Sequence, residues 1–394
     1  MFKVALLALN AAVWLPSTGF GQLREADVLR AASNRFEIAR AEADAERARR
    51  GADGAGRLPN PVLGFERQAA FSPNAQSQDV LALTFPIQLS GRARTERALA
   101  EVDASMAEVD LERTRLDFMA RALAVFYDAL ARGRRTAQLQ DGVAVLTEAE
   151  RLIQARRSAG EASGYESERI ALELSMARSR AAEARLDTDA ARAELSALVG
   201  HDDAPQGDFV VEAPAAEPVL VANAQRRRDR VALDAWVASA RDAQRRARRG
   251  GLPDLAVIVG YNRQAAPTGH GYALGGEVTI PLFDRGQQQR GEANALADGA
   301  QAMSDAWDRV VLGEVRSART RLQSLLRERG RFEQTDASTL IRAALSAYRE
   351  GELTLVELLD ARRAALDVEL RRTELDLLVR LADVALRRAT GELR

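Results

Sequence analysis

The sequence predicts a mixed α/β membrane protein, built mostly of long α-helices joined to four β-strands per chain. Three observations carry that fold class. The chain is written twice, at an offset of about 191 to 195 residues. Each copy holds a very long proline-free tract rich in Ala, Arg, Glu and Leu. Four segments of about ten residues alternate apolar with small or polar side chains, which is the period of a strand.

The duplication is read from paired motifs. "RLPNPVLGFERQAA" from Arg57 is echoed by "GLPDLAVIVGYNRQAA" from Gly251, and "TFPIQLSGRA" by "TIPLFDRGQQ", which sets Pro86 beside Pro281 and Gly91 beside Gly286. "AGEASGYESERIALEL" from Ala159 matches "EGELTLVELLDARRAA" from Glu350. The predicted organisation is a leader at 1–21, a first repeat at 22–200, a proline-bearing linker at 201–224 and a second repeat at 225–394. Each repeat holds a helix, a hairpin (about 61–89 and 254–283), a long helix and a shorter returning helix.

No proline occurs from Ile87 to Ala204 or from Leu282 to the end, so long helices are favoured there. Arg92 to Arg157 alone would span about 100 Å at 1.5 Å per residue. Breaks are expected at "SAGEASG" and "YREGEL". In the last helix Leu355, Leu366 and Leu377 recur every 11 residues, as do Leu359, Leu370 and Leu381. That repeat suits a nearly straight helix able to stand as a stave, although a two-stranded stalk or a bundle core carries the same stripe.

In "DLAVIVGYN", Leu255, Val257, Val259 and Tyr261 share one face, against Ala256, Ile258, Gly260 and Asn262. "VLALTFPIQL" and "YALGGEVTIPL" alternate likewise, and "VLGFERQ" does so more weakly. Ten-residue segments with one apolar face fit a transmembrane barrel strand, and a soluble two-sheet domain shares the period. Four strands enclose nothing, and open edges are not tolerated in lipid, so a barrel must be shared between subunits. Three copies would supply twelve strands. Pro86 and Pro281 then sit at strand ends, where a missing N–H does least harm, and Gly91 and Gly286 permit the bend into a helix.

Composition narrows the function. A net charge of −1 draws the chain to neither nucleic acid nor a membrane surface, and the absence of cysteine removes disulfides, thiolate metal sites and cysteine catalysis. The arginine bias, with Lys3 the single lysine, reads as the mark of a GC-rich genome. With only His201 and His270 present, no catalytic triad or imidazole-rich metal site is spaced convincingly; no enzyme, cofactor or bound metal is expected. Lys3, the apolar run from Val4 to Leu15 and the small residues Gly19 and Gly21 have the layout of a secretory signal peptide, with a buried N-terminal helix as the alternative. The clusters "RRRDR" (Arg226 to Arg230) and "RRARR" (Arg245 to Arg249) read as solvated helix faces rather than as a nucleic-acid surface, since acids lie nearby and no aromatic platform accompanies them.

At these residues the sequence resembles the TolC-like outer-membrane efflux factors. "RLPNP", the two strand-to-helix prolines, the duplication and "YREGELTLVELLDAR" carry the likeness over nearly the whole chain. "LTFPIQLSGRARTERALA" and "IPLFDRGQ" look most like the branch serving heavy-metal pumps of the resistance-nodulation-division type. Two features depart from that branch: "GQQQRGEA" replaces a short Asn-Gln-Gly turn, and a lipidation cysteine is lacking. The resemblance implies a homotrimer in the outer membrane of a Gram-negative bacterium. It implies a twelve-stranded barrel set in lipid and joined to a periplasmic α-helical tunnel, which meets a periplasmic adaptor and an inner-membrane pump. A duct for drugs or for type I protein secretion is the alternative within the family; a periplasmic coiled-coil adaptor or scaffold is the alternative outside it.

The resemblance also assigns residues. Glu357 and Asp360 match acidic positions at the periplasmic constriction, where three copies of each would form rings that favour cations. A solvated helix face paired with Arg363 is the plainer reading. Tyr348 matches a position that helps close the mouth, but the family's basic partner is Leu353 here, so a gate with fewer polar ties is expected; ordinary packing is the alternative. Gly160, Glu161, Gly351 and Glu352 fall at the tips that would meet the adaptor, or at simple helix–helix turns.

Overall fold

The computed structural model describes residues 22–33, 35–69, 77–200, 202–248, 252–264, 269–333 and 337–393. The expected leader, His201 and Arg249 lie outside the described residues.

The first repeat opens with α1 (Glu25–Ala32) and α2 (Phe36–Gly54), then a hairpin of β2 (Val62–Gln68) and β3 (Gln78–Ile87). The two-residue strand β1 (Gln22–Leu23) precedes them. From the hairpin the chain enters α3 (Arg92–Ser158), 67 residues without a break, and returns along α4 (Gly164–Val199). The second repeat runs through α6 (Arg228–Ala247), β5 (Asp254–Gln264), β6 (His270–Thr279), α7 (Gln287–Glu333), α8 (Ala337–Glu350) and α9 (Leu355–Thr390). The four longer strands form one antiparallel sheet in the order β2-β3-β5-β6.

The stretch expected to be a linker is more structured than its prolines suggest. Strand β4 (Ala204–Pro205) pairs in parallel with β1, which uses only part of Pro205's hydrogen-bonding capacity. Helix α5 (Glu217–Ala224) begins with Pro218 in its first turn, where no N–H is needed, and buries Leu220 and Ala224. Between them Phe209 is buried against Tyr127, with ring centroids 6.1 Å apart. Proline marks a strap here, with Phe209 packed on α3 and α5 packed on α7 and α9.

Helix α3 is the shared wall, packing on α2, α4, α6 and α9. Near the sheet, Ala98, Val102 and Val109 meet Leu233, Trp236 and Ala240 of α6 and Ala293, Ala297 and Trp307 of α7. At mid-length Phe126 and Tyr127 join Leu195 and Val199 of α4. At the far end Leu146 and Ile153 meet Ile170 and Leu174 of α4 and Tyr348, Leu355 and Leu358 of α8 and α9. The alanine richness and thin aromatic content have one cause: small side chains let long helices lie close side by side.

The "RRRDR" cluster is not a solvated face. Arg227 and Asp229 are both buried, and the guanidinium grips the carboxylate with two bonds of 2.9 and 2.8 Å. Trp307 of α7 donates its Nε1–H to the same carboxylate at 3.2 Å, and Arg227 also donates to the Ala389 carbonyl of α9 at 3.2 Å. Arg230 reaches Asp234 and Asp308. These residues therefore tie α6, α7 and α9 together. In the second cluster, Arg245 and Arg246 pair with Asp242 near the end of α6, where cations suit the helix dipole.

Candidate functional site

The sheet has two chemically distinct faces. Its register sets Leu63 opposite Leu83, Leu83 opposite Val259, and Val259 opposite Leu274. Phe65, Leu81, Tyr261 and Tyr272 make the next row on that face. One step along, on the opposite face, Gly64, Ala82, Gly260 and Ala273 form a row of small residues. The period of two makes this segregation automatic once register is set. The apolar face is exposed, with Leu274 at 81% and Phe65 at 68%. At one end Tyr261 and Tyr272 stand 5.5 Å apart with His270 beside them; past the other end Phe283 is 90% exposed. Aromatics at both margins of an apolar band match the girdles of a barrel wall. Among the described residues β2 and β6 each have one neighbour, so both outer edges of the sheet are open.

The strand-to-helix joins lie where they were expected, with one adjustment. Pro86 is the penultimate residue of β3, whereas Pro281 falls two residues beyond β6, which ends at Thr279. The apolar alternation continues through Ile280 and Leu282, but the strand hydrogen bonding does not. Gly91 and Gly286 have φ of 70° and 74°, the left-handed region a side chain disfavours, and helices start directly after them. The joins are tied to each other. Asp254 accepts from the Ser90 N–H at 2.9 Å and from its hydroxyl at 3.1 Å. Asp284 accepts from the Gly286 N–H at 3.0 Å and pairs with Arg92, the first residue of α3. The Gly286 bond first, then Arg92, holds the Asp284 carboxyl below the usual carboxylate range.

The opposite end carries two matching helical turns. After α3, Glu161 N–H bonds the Arg156 carbonyl at 2.8 Å, and Gly160 takes φ of 81°. After α8, Glu352 N–H bonds the Ala347 carbonyl at 2.9 Å, and Gly351 takes φ of 80°. Both are Schellman closures, in which glycine supplies the left-handed residue. Ser163 with Glu166 and Thr354 with Glu357 then start the returning helices as capping boxes. The four tip residues Gly160, Glu161, Gly351 and Glu352 are exposed.

Glu357 thus has a local task. Its carboxylate accepts from the Thr354 N–H at 2.7 Å and from the Thr354 hydroxyl at 2.8 Å, and these bonds, in that order, lower its pKa. Asp360 is exposed, with Arg363 at 4.0 Å, while Arg363 itself lies 2.5 Å from Glu173 of α4. Glu357 and Asp360 share the α9 face turned away from the buried Leu358 and Leu359. Tyr348 points the other way. It is 1% exposed and packed among Ala344, Leu355 and Leu358, with the Arg156 guanidinium beside it. Burial pushes the phenol's pKa up. The structure does not bring Tyr348 together with the two acids.

Among the described residues, no group of three or more His, Asp or Glu side chains is placed to hold a metal ion, and no helix is long and apolar enough to cross a membrane.

This arrangement of a four-stranded sheet on a long helical body has solved counterparts. The CusC structure, from a study of transmembrane channel formation, superposes with a TM-score of 0.75 over 96% of this chain and 95% of its own, at 15% identity. The chain shares the fold of that structure. The Campylobacter jejuni outer-membrane channel CmeC matches at a TM-score of 0.71 over 99% of this chain and 94% of its own, at 16% identity. VceC, an outer-membrane protein of Vibrio cholerae, matches at 0.72 over 93% and 96%, at 17% identity. In sequence, the chain is 24% identical to the cobalt-zinc-cadmium resistance protein CzcC of Cupriavidus metallidurans, over 88% of this chain and 84% of that one. It is 26% identical to the nickel-cobalt-cadmium resistance protein NccC of Alcaligenes xylosoxydans xylosoxydans, over 59% and 53%. No family model matches the chain.

Two groups of residues escaped the reading of the sequence. The S-x-x-E and T-x-x-E spacings at Ser163 and Thr354 were open to view as helix starts and explain the acid at position 357 without reference to a pore. The Arg227–Asp229–Trp307 tie had no local signal, since Trp307 stands 78 positions from Asp229 and meets it only through tertiary packing.

Proposed function

We propose that the chain is the outer-membrane channel of a tripartite efflux system, a passive duct for heavy-metal cations. Three copies would close their sheets edge to edge into a twelve-stranded barrel. Their helices would continue it as a periplasmic tunnel. The observation that carries this reading is the sheet, with one apolar exposed face between aromatic margins and two open edges. A lone chain in water could not keep such a surface solvated, and neighbouring copies in lipid would cover both the face and the edges. A coiled-coil adaptor or scaffold has no use for it. The metal-resistance names of CzcC and NccC support heavy-metal cations as the cargo.

On this reading the labour is divided. A pump in the inner membrane supplies energy and an adaptor bridges to the tips at Gly160 and Gly351; this chain supplies the conduit. Glu357 and Asp360, repeated three times about the axis, would form two acidic rings at the periplasmic mouth. The capping bonds keep Glu357 ionised at neutral pH, so its ring stays charged while it caps its helix.

Single-channel recording in planar bilayers tests the rings. Glu357→Gln preserves the capping geometry, because Gln serves at that position, and removes only charge. The double variant Glu357→Gln with Asp360→Asn is expected to lower the preference for cations over anions several-fold. An unchanged preference would remove both residues from the throat.

A further inference from the structure

The charged residues of the sheet are sorted by face. At the hairpin-turn end, one cross-strand row holds Arg67, Asp79, Arg263 and His270, in register across β2, β3, β5 and β6. The period of two puts this row on the apolar face. It lies about 7 Å beyond the row of Phe65, Leu81, Tyr261 and Tyr272, two residues on at about 3.4 Å each. Glu66 and Glu277 belong to the opposite face, where Glu66 accepts from the Gln68 amide at 2.9 Å. Arg67, Arg263 and His270 are exposed. Asp79 pairs with Arg67 at 3.6 Å, which leaves Arg263 with no acid paired to it among the described residues. The stretches joining the strands, 69–77 and 265–269, carry no charged side chain. The cations of this end therefore stand on the apolar face, at its tyrosine margin.

We propose that this row is a binding site for the phosphorylated headgroup of a membrane lipid, whose acyl chains lie along Leu63, Leu83, Val259 and Leu274. A guanidinium on a lipid-facing wall is costly at the bilayer midplane and far less so near the interface, where this row would sit. Arginine suits phosphate, because its planar fork can hold two oxygens at once. The helices leave the sheet at its other end. With the helical body in the periplasm, the row faces the outer leaflet, whose glycolipid carries phosphates on its sugars. Arg67 and Arg263 supply the charge, His270 adds an imidazole N–H, and Asp79 tempers the repulsion between the two arginines. A soluble anion would use the arginines alone, whereas a lipid uses both the arginines and the apolar band below them. That continuity singles out the lipid as occupant. The inference rests on the reading of the apolar face as lipid-facing.

Native mass spectrometry of the full chain, purified in a non-ionic detergent, tests the site. The probes are bisphosphorylated lipid A and the same glycolipid stripped of both phosphates. The wild type is expected to retain the phosphorylated form in clear preference. The double variant Arg67→Gln with Arg263→Gln should lose about thirtyfold of that preference, which is about 2 kcal/mol, or roughly 1 kcal/mol for each arginine. Its retention of the phosphate-free form should match the wild type, which shows that the sheet is intact. Inorganic phosphate at millimolar concentration should not displace the lipid. Equal retention of both lipids by the wild type, an undiminished preference in the double variant, or displacement by inorganic phosphate would each overturn the proposal. A chain that leaves membranes without detergent and retains neither lipid would overturn the barrel reading, and the site with it.

Discussion

Asp229→Ala is expected to destabilise the protein by about 3–5 kcal/mol, because it strands the buried Arg227 guanidinium without its carboxylate. Asp229 is fully buried and accepts three hydrogen bonds, two from the Arg227 guanidinium and one from the Trp307 Nε1–H. Removing it leaves a cation and an indole N–H unpaired at the meeting of α6, α7 and α9. The double substitution Arg227→Met with Asp229→Leu should recover most of the loss, since replacing both partners by apolar side chains removes the desolvation problem together with the bond. Thermal unfolding followed by circular dichroism in detergent reads both. A single variant that melts with the wild type would show that the tie contributes nothing to stability.

The second large effect concerns the wall of the proposed barrel. Val259 lies mid-strand on the apolar face, paired with Leu83 and Leu274. If three copies close the barrel as proposed, Val259→Arg is expected to cost about 2–4 kcal/mol per copy at the bilayer midplane and to abolish heat-resistant trimers in the outer membrane. Thr84→Arg places the same charge on the opposite face, opposite Ile258, where water would fill the lumen. It should still assemble. Semi-native electrophoresis of membrane fractions distinguishes the two. Assembly of Val259→Arg with loss of Thr84→Arg would reverse the assignment of the faces.

Much of this architecture was readable in advance because it rests on local periodicity. Alternation placed β2 at Val62–Gln68 to the residue, and the absence of proline let α3 run unbroken from Arg92 to Ser158. The strand ends were less legible. The pattern in "YALGGEVTIPL" runs through Leu282, but β6 stops at Thr279, because alternation describes side chains while strand pairing needs the backbone N–H that Pro281 lacks. The strap after α4 was hidden for a related reason. Prolines announce the absence of long helix, and say nothing of whether Phe209 finds a pocket.

The functional positions divide differently. Gly91 and Gly286 could be assigned a bend from sequence because a glycine at a strand-to-helix junction has few other uses. Glu357 could not be assigned a single role. The spacing from Thr354 makes it a cap, its exposure leaves it free to face a pore, and neither role excludes the other. Tyr348 shows the limit most sharply: it is buried among Ala344, Leu355 and Leu358, and a packed interface between distant helices leaves no trace in composition or period.

The central claim, that this chain is the outer-membrane duct of a heavy-metal efflux system, is tested most directly by growth. A deletion strain, with and without its complementing plasmid, would be plated on zinc, cobalt, cadmium, nickel, copper and silver beside dyes, detergents and antibiotics. The expected result is sensitivity confined to one or a few of the metals and restored to normal by the plasmid. Sensitivity to dyes and antibiotics with every metal tolerated would contradict the account.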